Sequence, residues 1–157
     1  MGMGENVGRV DHVVMMVWPE NLESCVRRLE EIFETEFQYF EADRQGIKGA
    51  LSDETLLEVI APLRDGSPAS ESLERLLDQK GEGVHSITFG VADAHATRKR
   101  LDALGVKNRG VFDALHEDAP QFIKDDYSVL QECHLRERVH GTLFVLSQIE
   151  RSETGGE

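Results

Sequence analysis

The chain has 157 residues, 39% of them hydrophobic, and a formal charge of -13 at pH 7. That is one ordinary domain, or two small modules sharing a core, and it is too apolar for a disordered chain. The acidity argues against nucleic acid or an anionic membrane as partner, because both need clustered Lys and Arg; it reads as a solvated surface that keeps the protein soluble.

No apolar run reaches the roughly 18 residues needed to span a bilayer. Residues 1–8 hold no basic region and no apolar core, so no secretory signal is expected. Asn6 stands where a myristoylation signal needs Ser or Thr. Cys25 and Cys133 form no CxxC and are expected as reduced structural thiols, which points to the cytoplasm.

The first element expected is a strand over 10–17, β-branched and Met-rich, ending at Trp18-Pro19. Alternation sets Val10, His12, Val14 and Met16 on one face and Val13, Met15 and Val17 on the other. Both faces are largely apolar, so the strand should be buried on both sides with a helix over one. That helix starts near 20–22, with Leu22, Val26, Leu29, Ile32 and Phe33 at amphipathic spacing. Strands are expected over 37–41, 47–51 and 56–60, with turns at 43–46 and 52–54 and a stop at Pro62. A polar linker over 64–68 leads to a short helix through Leu73, Leu76 and Leu77, capped by Ser67 or Ser70.

A second series begins at Gly81-Glu82-Gly83. It holds a strand over 84–91, a helix over 94–104 closed by Gly105, a strand over 106–112, and strands over 128–135 and 141–148. Residues 113–127 are acidic and irregular, with no counterpart earlier; loops of that length are often lids or binding loops. Residues 151–157 read as a frayed polar tail.

The two series repeat. Sliding the sequence by 74 places sets His12 on Ser86, Val14 on Thr88 and Val17 on Val91. Each first strand is followed by a helical segment carrying Arg27-Arg28-Leu29 or Lys99-Arg100-Leu101, and Thr55-Leu56-Leu57-Glu58 matches Thr142-Leu143-Phe144-Val145. The expected organisation is a first βαβββ module over 8–63, a linker with a short helix over 64–80, a second βαβββ module over 81–150 and a tail over 151–157.

Two tandem βαβββ modules, with Val10-Asp11-His12-Val13, Glu58-Val59-Ile60-Ala61-Pro62-Leu63, Gly81-Glu82-Gly83-Val84-His85 and Val91-Ala92-Asp93 in order, resemble the vicinal oxygen chelate superfamily. That group includes glyoxalase I, methylmalonyl-CoA epimerase, extradiol dioxygenases and the bleomycin and fosfomycin resistance proteins. The epimerase-like branch is closest in look. The resemblance implies an α+β glyoxalase-like fold, a mixed and antiparallel sheet curled into a cup, in a homodimer. It also implies up to four metal ligands, one on the first and one on the last strand of each module.

His12 and Glu58 match the first two of those places. The repeat sets Ser86 and Val145 in the other two, and His85 is one residue out of phase, hence on the opposite face. Valine cannot ligate and a neutral serine is a poor ligand, while a tight divalent site takes three or four protein ligands. No cofactor is therefore expected; a divalent zinc, iron, cobalt, nickel or manganese ion on His12 and Glu58 is the alternative.

Without metal, His12 and Glu58 form an acid/base pair for proton transfer next to a carbonyl, with Ser86, Thr88, Met16 and Val145 as substrate contacts. The resemblance implies an epimerase or isomerase acting on a small carbonyl or acyl-thioester compound. One alternative is a metal-free binding protein of the drug-resistance type, its cup lined by Val14, Met16, Leu56, Ile60, Leu143 and Val145. Another is a lyase or dioxygenase with a rearranged metal site. His85 reads as a satisfied strand histidine, His134 and His140 as solvated, and His116 as a loop residue within reach of a ligand.

Overall fold

The fold is that of a computed structural model, which describes residues 2–153. The chain forms two compact units, one of Val13–His85 and one joining Gly2–His12 to the chain from Ser86 onward. Strand β1, Val10–Met16, gives its last four residues to the first unit and its first three to the second.

In the first unit β1 leads through a single 3-10 turn, Pro19–Asn21, into helix α1, Leu22–Phe33. Strands β2 (Gln38–Ala42), β3 (Ile47–Ser52) and β4 (Leu57–Pro62) follow. The sheet order is β2-β3-β4-β1, antiparallel except that β4 runs parallel to β1. On one face Val17, Leu22, Val26, Phe37, Ala50, Val59 and Ala61 form a core, with Met15, Leu29 and Leu57 against it. This is the face that α1 covers, as the 3-4 spacing of its leucines and valine requires. Ile32 and Phe33 depart from the expectation: both are exposed, because the last turn of α1 lies outside that cluster.

The other face of the same sheet is covered too. Helix α2, Pro68–Lys80, starts on Ser67, whose side chain accepts from the Ser70 N–H at 3.2 Å, with Pro68 in the first turn where its missing N–H costs nothing. Its Leu77 is buried with Val14, Met16, Ala42, Ile47 and Ile60, and Leu73 and Leu76 pack alongside. The linker helix thus fills the surface on which Val14, Met16 and Ile60 were expected to face a cup. At the edge of this packing Arg64 lies over the Trp18 ring, 5.4 Å from its centre, and bonds Glu20 and Glu74.

The second unit repeats the plan with β5 (Gly83–Gly90, from Ser86 on), α3 (Ala94–Ala103), β6 (Asn108–Asp113), β7 (Tyr127–Leu135) and β8 (Leu143–Arg151). Its sheet order is β5-β8-β7-β6, with β8 parallel to β5. Asp93 caps α3 through the Ala96 N–H, and Gly105, at φ 73°, follows its end in the left-handed conformation that glycine adopts without cost. The face toward α3 carries Leu101, Cys133 and Leu135, with Val106, Phe144 and Leu146.

Residues 113–127 are not an irregular loop. They form two short helices, α4 (Ala114–Glu117) and α5 (Gln121–Asp126), anchored by buried Ala114 and Ile123. Asp113 caps α4 and also bonds His116 Nδ1 at 2.9 Å, while the His116 side chain stays in solvent. Of the expected tail, Arg151 ends β8, and 154–157 lie outside the described residues.

The fold class is the expected one: α+β, with two βαβββ modules in tandem and mixed sheets. No helix among the described residues is long and apolar enough to cross a membrane.

Candidate active site

Strand pairing fixes which residues share a face, because partners directly opposite each other in adjacent strands point the same way. In the first unit Val14 stands opposite Glu58 and Met16 opposite Ile60; on the far side of β4, Leu51 stands opposite Glu58 and Gly49 opposite Ile60. In the second unit Thr88 stands opposite Val145 and Gly90 opposite Ser147, with His134 opposite Val145 and Glu132 opposite Ser147. The two patterns superpose term by term. The register therefore gives the same equivalences as the sequence repeat: Val14 with Thr88, and Glu58 with Val145.

Those equivalences test the metal site that the resemblance implies. The four places hold His12, Glu58, Ser86 and Val145, and a valine stands where the fourth ligand would. Among the described residues no three His, Cys, Asp or Glu side chains are grouped as a metal site requires. The donor set does not fit the implied ion.

His12 is buried in the second unit beside Asp11, which is more buried still. The Asp11 Oδ1 lies 2.9 Å from His12 Nδ1, and its Oδ2 accepts the Gly4 N–H at 2.9 Å. A carboxylate in this position favours the tautomer that carries the proton on Nδ1. The residues ahead of β1 are pinned by a bond from the Gly8 N–H to the Gly90 carbonyl and one from the Gly90 N–H to the Arg9 carbonyl, each 2.9 Å. A side chain at position 90 would run into Asn6, its Cβ 2.4 Å from the Asn6 carbonyl oxygen, so only glycine allows this approach.

On the same unit's sheet, Glu132 and His134 occupy the face away from α3. His134 Nε2 lies 3.1 Å from Glu132 Oε2, and the side chains are 33% and 16% exposed. Burial pushes the Glu132 carboxyl up, but the hydrogen bond and charge of His134, and then the charge of His12, outweigh it and hold the group below the usual range. Opposite Glu132, Ser147 is 1% exposed, and its Oγ has no hydrogen-bond partner among the described residues.

The remaining expected site residues fall out as follows. Ser86, Thr88 and Val145 are buried in the second unit, with Thr88 and Val145 side by side. Glu58 is half-buried on β4 of the first unit, opposite Val14. Met16 is 3% exposed and packs with Leu77 of α2 in the core. His134, expected in solvent, is instead partly buried and bonded, because β7 turns it to the same face as Glu132. His140 lies in a turn at φ 47°, exposed, as expected. Cys25 is no nucleophile: burial, then the charge of Glu82, pushes its thiol up. Sequence reasoning missed Asp11, Glu132 and Ser147. The signal for Glu132 was the alternation of Glu132-Cys133-His134-Leu135, which sets two polar groups on one face and two apolar ones on the other.

No protein-family description and no curated protein matches the chain. Solved structures do. A Streptomyces coelicolor methylmalonyl-CoA epimerase in complex with 2-nitronate-propionyl-CoA is 21% identical, with a TM-score of 0.65, the match covering 90% of this chain and 96% of that one. A Mycobacterium tuberculosis methylmalonyl-CoA epimerase is 19% identical, with a TM-score of 0.64, covering 94% and 91% respectively. A hypothetical protein from Bacillus halodurans C-125 is 19% identical, with a TM-score of 0.68, covering 95% and 98%. The fold of this chain is thus the vicinal oxygen chelate fold that these epimerases have.

Proposed function

We propose that the protein is an epimerase- or isomerase-type enzyme that moves the proton α to the carbonyl of an acyl thioester, an acyl-CoA by analogy with the ligand named for its structural neighbours. The observation that carries this reading is the buried Asp11–His12 pair, 2.9 Å apart, in a fold of which one solved epimerase holds 2-nitronate-propionyl-CoA. An imidazole with one nitrogen fixed by a carboxylate is a proton carrier near neutral pH. In this reading His12, backed by Asp11, takes and returns the proton. Ser86 and Thr88 supply polar contacts and Val145 an apolar wall.

No metal is needed, since removing a proton α to a thioester requires a base and a donor to the enolate oxygen. The proposed chemistry therefore rests on side chains alone. A cytoplasmic homodimer belongs to the same reading, and sedimentation at working concentration tests the dimer.

The test is exchange of the α proton of methylmalonyl-CoA in deuterated water, followed by proton NMR. Wild type is expected to exchange it, and His12→Gln to slow exchange by roughly 100-fold or more. A wild type that exchanges nothing while binding the thioester tightly would favour sequestration over catalysis.

A further inference from the structure

A carboxylate can fix the tautomer of an imidazole only if something fixes the carboxylate. Asp11 is buried, and its two oxygens face two groups: Oδ1 lies 2.9 Å from His12 Nδ1, and Oδ2 accepts the Gly4 N–H at 2.9 Å. We infer that the segment 2–9 ahead of β1 is part of the site and that Gly4 is a positioning residue. Its backbone N–H sets the Asp11 carboxylate, which in turn sets the tautomer of His12. The inference rests on the epimerase-type reading above, in which His12 carries the proton.

Three observations converge. First, the segment is packed into the second unit. Met3 and Asn6 are buried, the Asn6 side chain donates to the Gly2 carbonyl, and the Arg9 guanidinium donates to the Glu5 carbonyl. Second, glycines hold it at both ends. Gly90 lets it approach β5, and at the other end Gly4 has φ 88°, where a Cβ would lie 2.8 Å from the Ile149 carbonyl oxygen on β8. Only glycine brings this N–H to Asp11. Third, a backbone N–H donates and never accepts. An ionised carboxylate offers an acceptor on each side, so it satisfies Gly4 and a protonated Nδ1 together.

The consequence is sharpest for the isosteric change Asp11→Asn. A side-chain amide has one acceptor side and one donor side. The Gly4 N–H takes the oxygen, so the NH2 group turns to His12 Nδ1. That nitrogen must then carry no proton, and the ring proton moves to Nε2. A neutral imidazole accepts a proton only at the nitrogen that carries none, so the side of the ring that acts as a base is reversed. Displacing Gly4 frees the amide to turn its oxygen back to the ring.

The test uses the full chain with histidine labelled in nitrogen-15, as wild type, Asp11→Asn, Gly4→Ala and the double variant. The ring nitrogens are read by NMR at alkaline pH, where the imidazole is neutral, and α-proton exchange of methylmalonyl-CoA is followed in deuterated water. Wild type is expected to hold the proton on Nδ1. Asp11→Asn is expected to hold it on Nε2, with exchange slowed roughly 1,000-fold or more and KM within a few-fold. Gly4→Ala alone is expected to slow exchange by roughly 10- to 100-fold. In the Asp11→Asn background the same change is expected to restore part of the Nδ1–H tautomer and to speed exchange about tenfold. A merely structural segment does not produce that change of sign. Losses that multiply in the double variant, or an Nδ1–H tautomer that survives in Asp11→Asn, overturn the assignment. Should Gly4→Ala not fold, the tautomer of Asp11→Asn decides alone. If wild type exchanges nothing, the epimerase reading falls, and the ring nitrogens decide the positioning role: a switch in Asp11→Asn that Gly4→Ala reverses upholds it, and no switch overturns it.

Discussion

The two modules share one plan and spend it differently. At matched positions the first has Val14, Met16, Ile60 and Gly49, and the second has Thr88, Gly90, Ser147 and Glu132. In the first, the linker helix α2 lies on that face and its Leu77 completes a core. In the second, the face holds an orphaned hydroxyl and a carboxylate–imidazole pair. Only at one place does the pattern reverse, where Glu58 in the first module answers to Val145 in the second. The lesson is that after a duplication one half can turn its inner face to stability, which leaves the other free to carry polar groups that stability alone would reject.

The comparison can be broken by substitution. Leu77→Ala should cost about 2–5 kcal/mol in chemical denaturation, since it removes a fully buried leucine from the α2 packing. A loss within error of zero would mean that α2 does not hold the first face. Gly49→Ala should cost about 1–3 kcal/mol, because a Cβ there comes within 2.4 Å of the Val59 carbonyl oxygen in the neighbouring strand. Its counterpart change, Glu132→Ala, should cost less than Gly49→Ala, so equal losses would undo the contrast. Ser67→Ala should cost about 1 kcal/mol through loss of the α2 cap.

The smallest effect sharpens the electrostatics. The Glu132 carboxyl is depressed in the folded state, so the stability it contributes is complete above its unfolded pKa of about 4.3 and is lost as pH falls through the lower folded value. His134→Gln removes the larger favourable partner and should move the Glu132 titration upward, as read from its carboxyl carbon by NMR. An unchanged titration would assign the depression to something other than His134.

Much of the fold was legible because duplication writes the same answer twice. The match of Val14 to Thr88, found by sliding one half along the other, and that of Glu58 to Val145 return as strand register. Apolar alternation located the strands, and Ser67-Pro68 marked the start of α2. What the pattern left open was where α2 would lie, since Leu73, Leu76 and Leu77 show that a helix must be covered but not by which surface. The short α4 and α5 are below the length at which a 3.6-residue period shows. His134 was legible as a strand residue, yet alternation cannot tell whether a polar face meets water or an interior site. Asp11 was hidden for another reason: its value lies in the Gly4 N–H and the His12 ring, contacts that only the folded N-terminal segment brings about.

The central claim is that side chains alone, His12 with Asp11, move the proton. The direct measurement is α-proton exchange of methylmalonyl-CoA by protein stripped with chelator, compared with the same protein given back zinc or cobalt. The account predicts the same rate in both samples. Exchange that disappears on stripping and returns with the metal would contradict it.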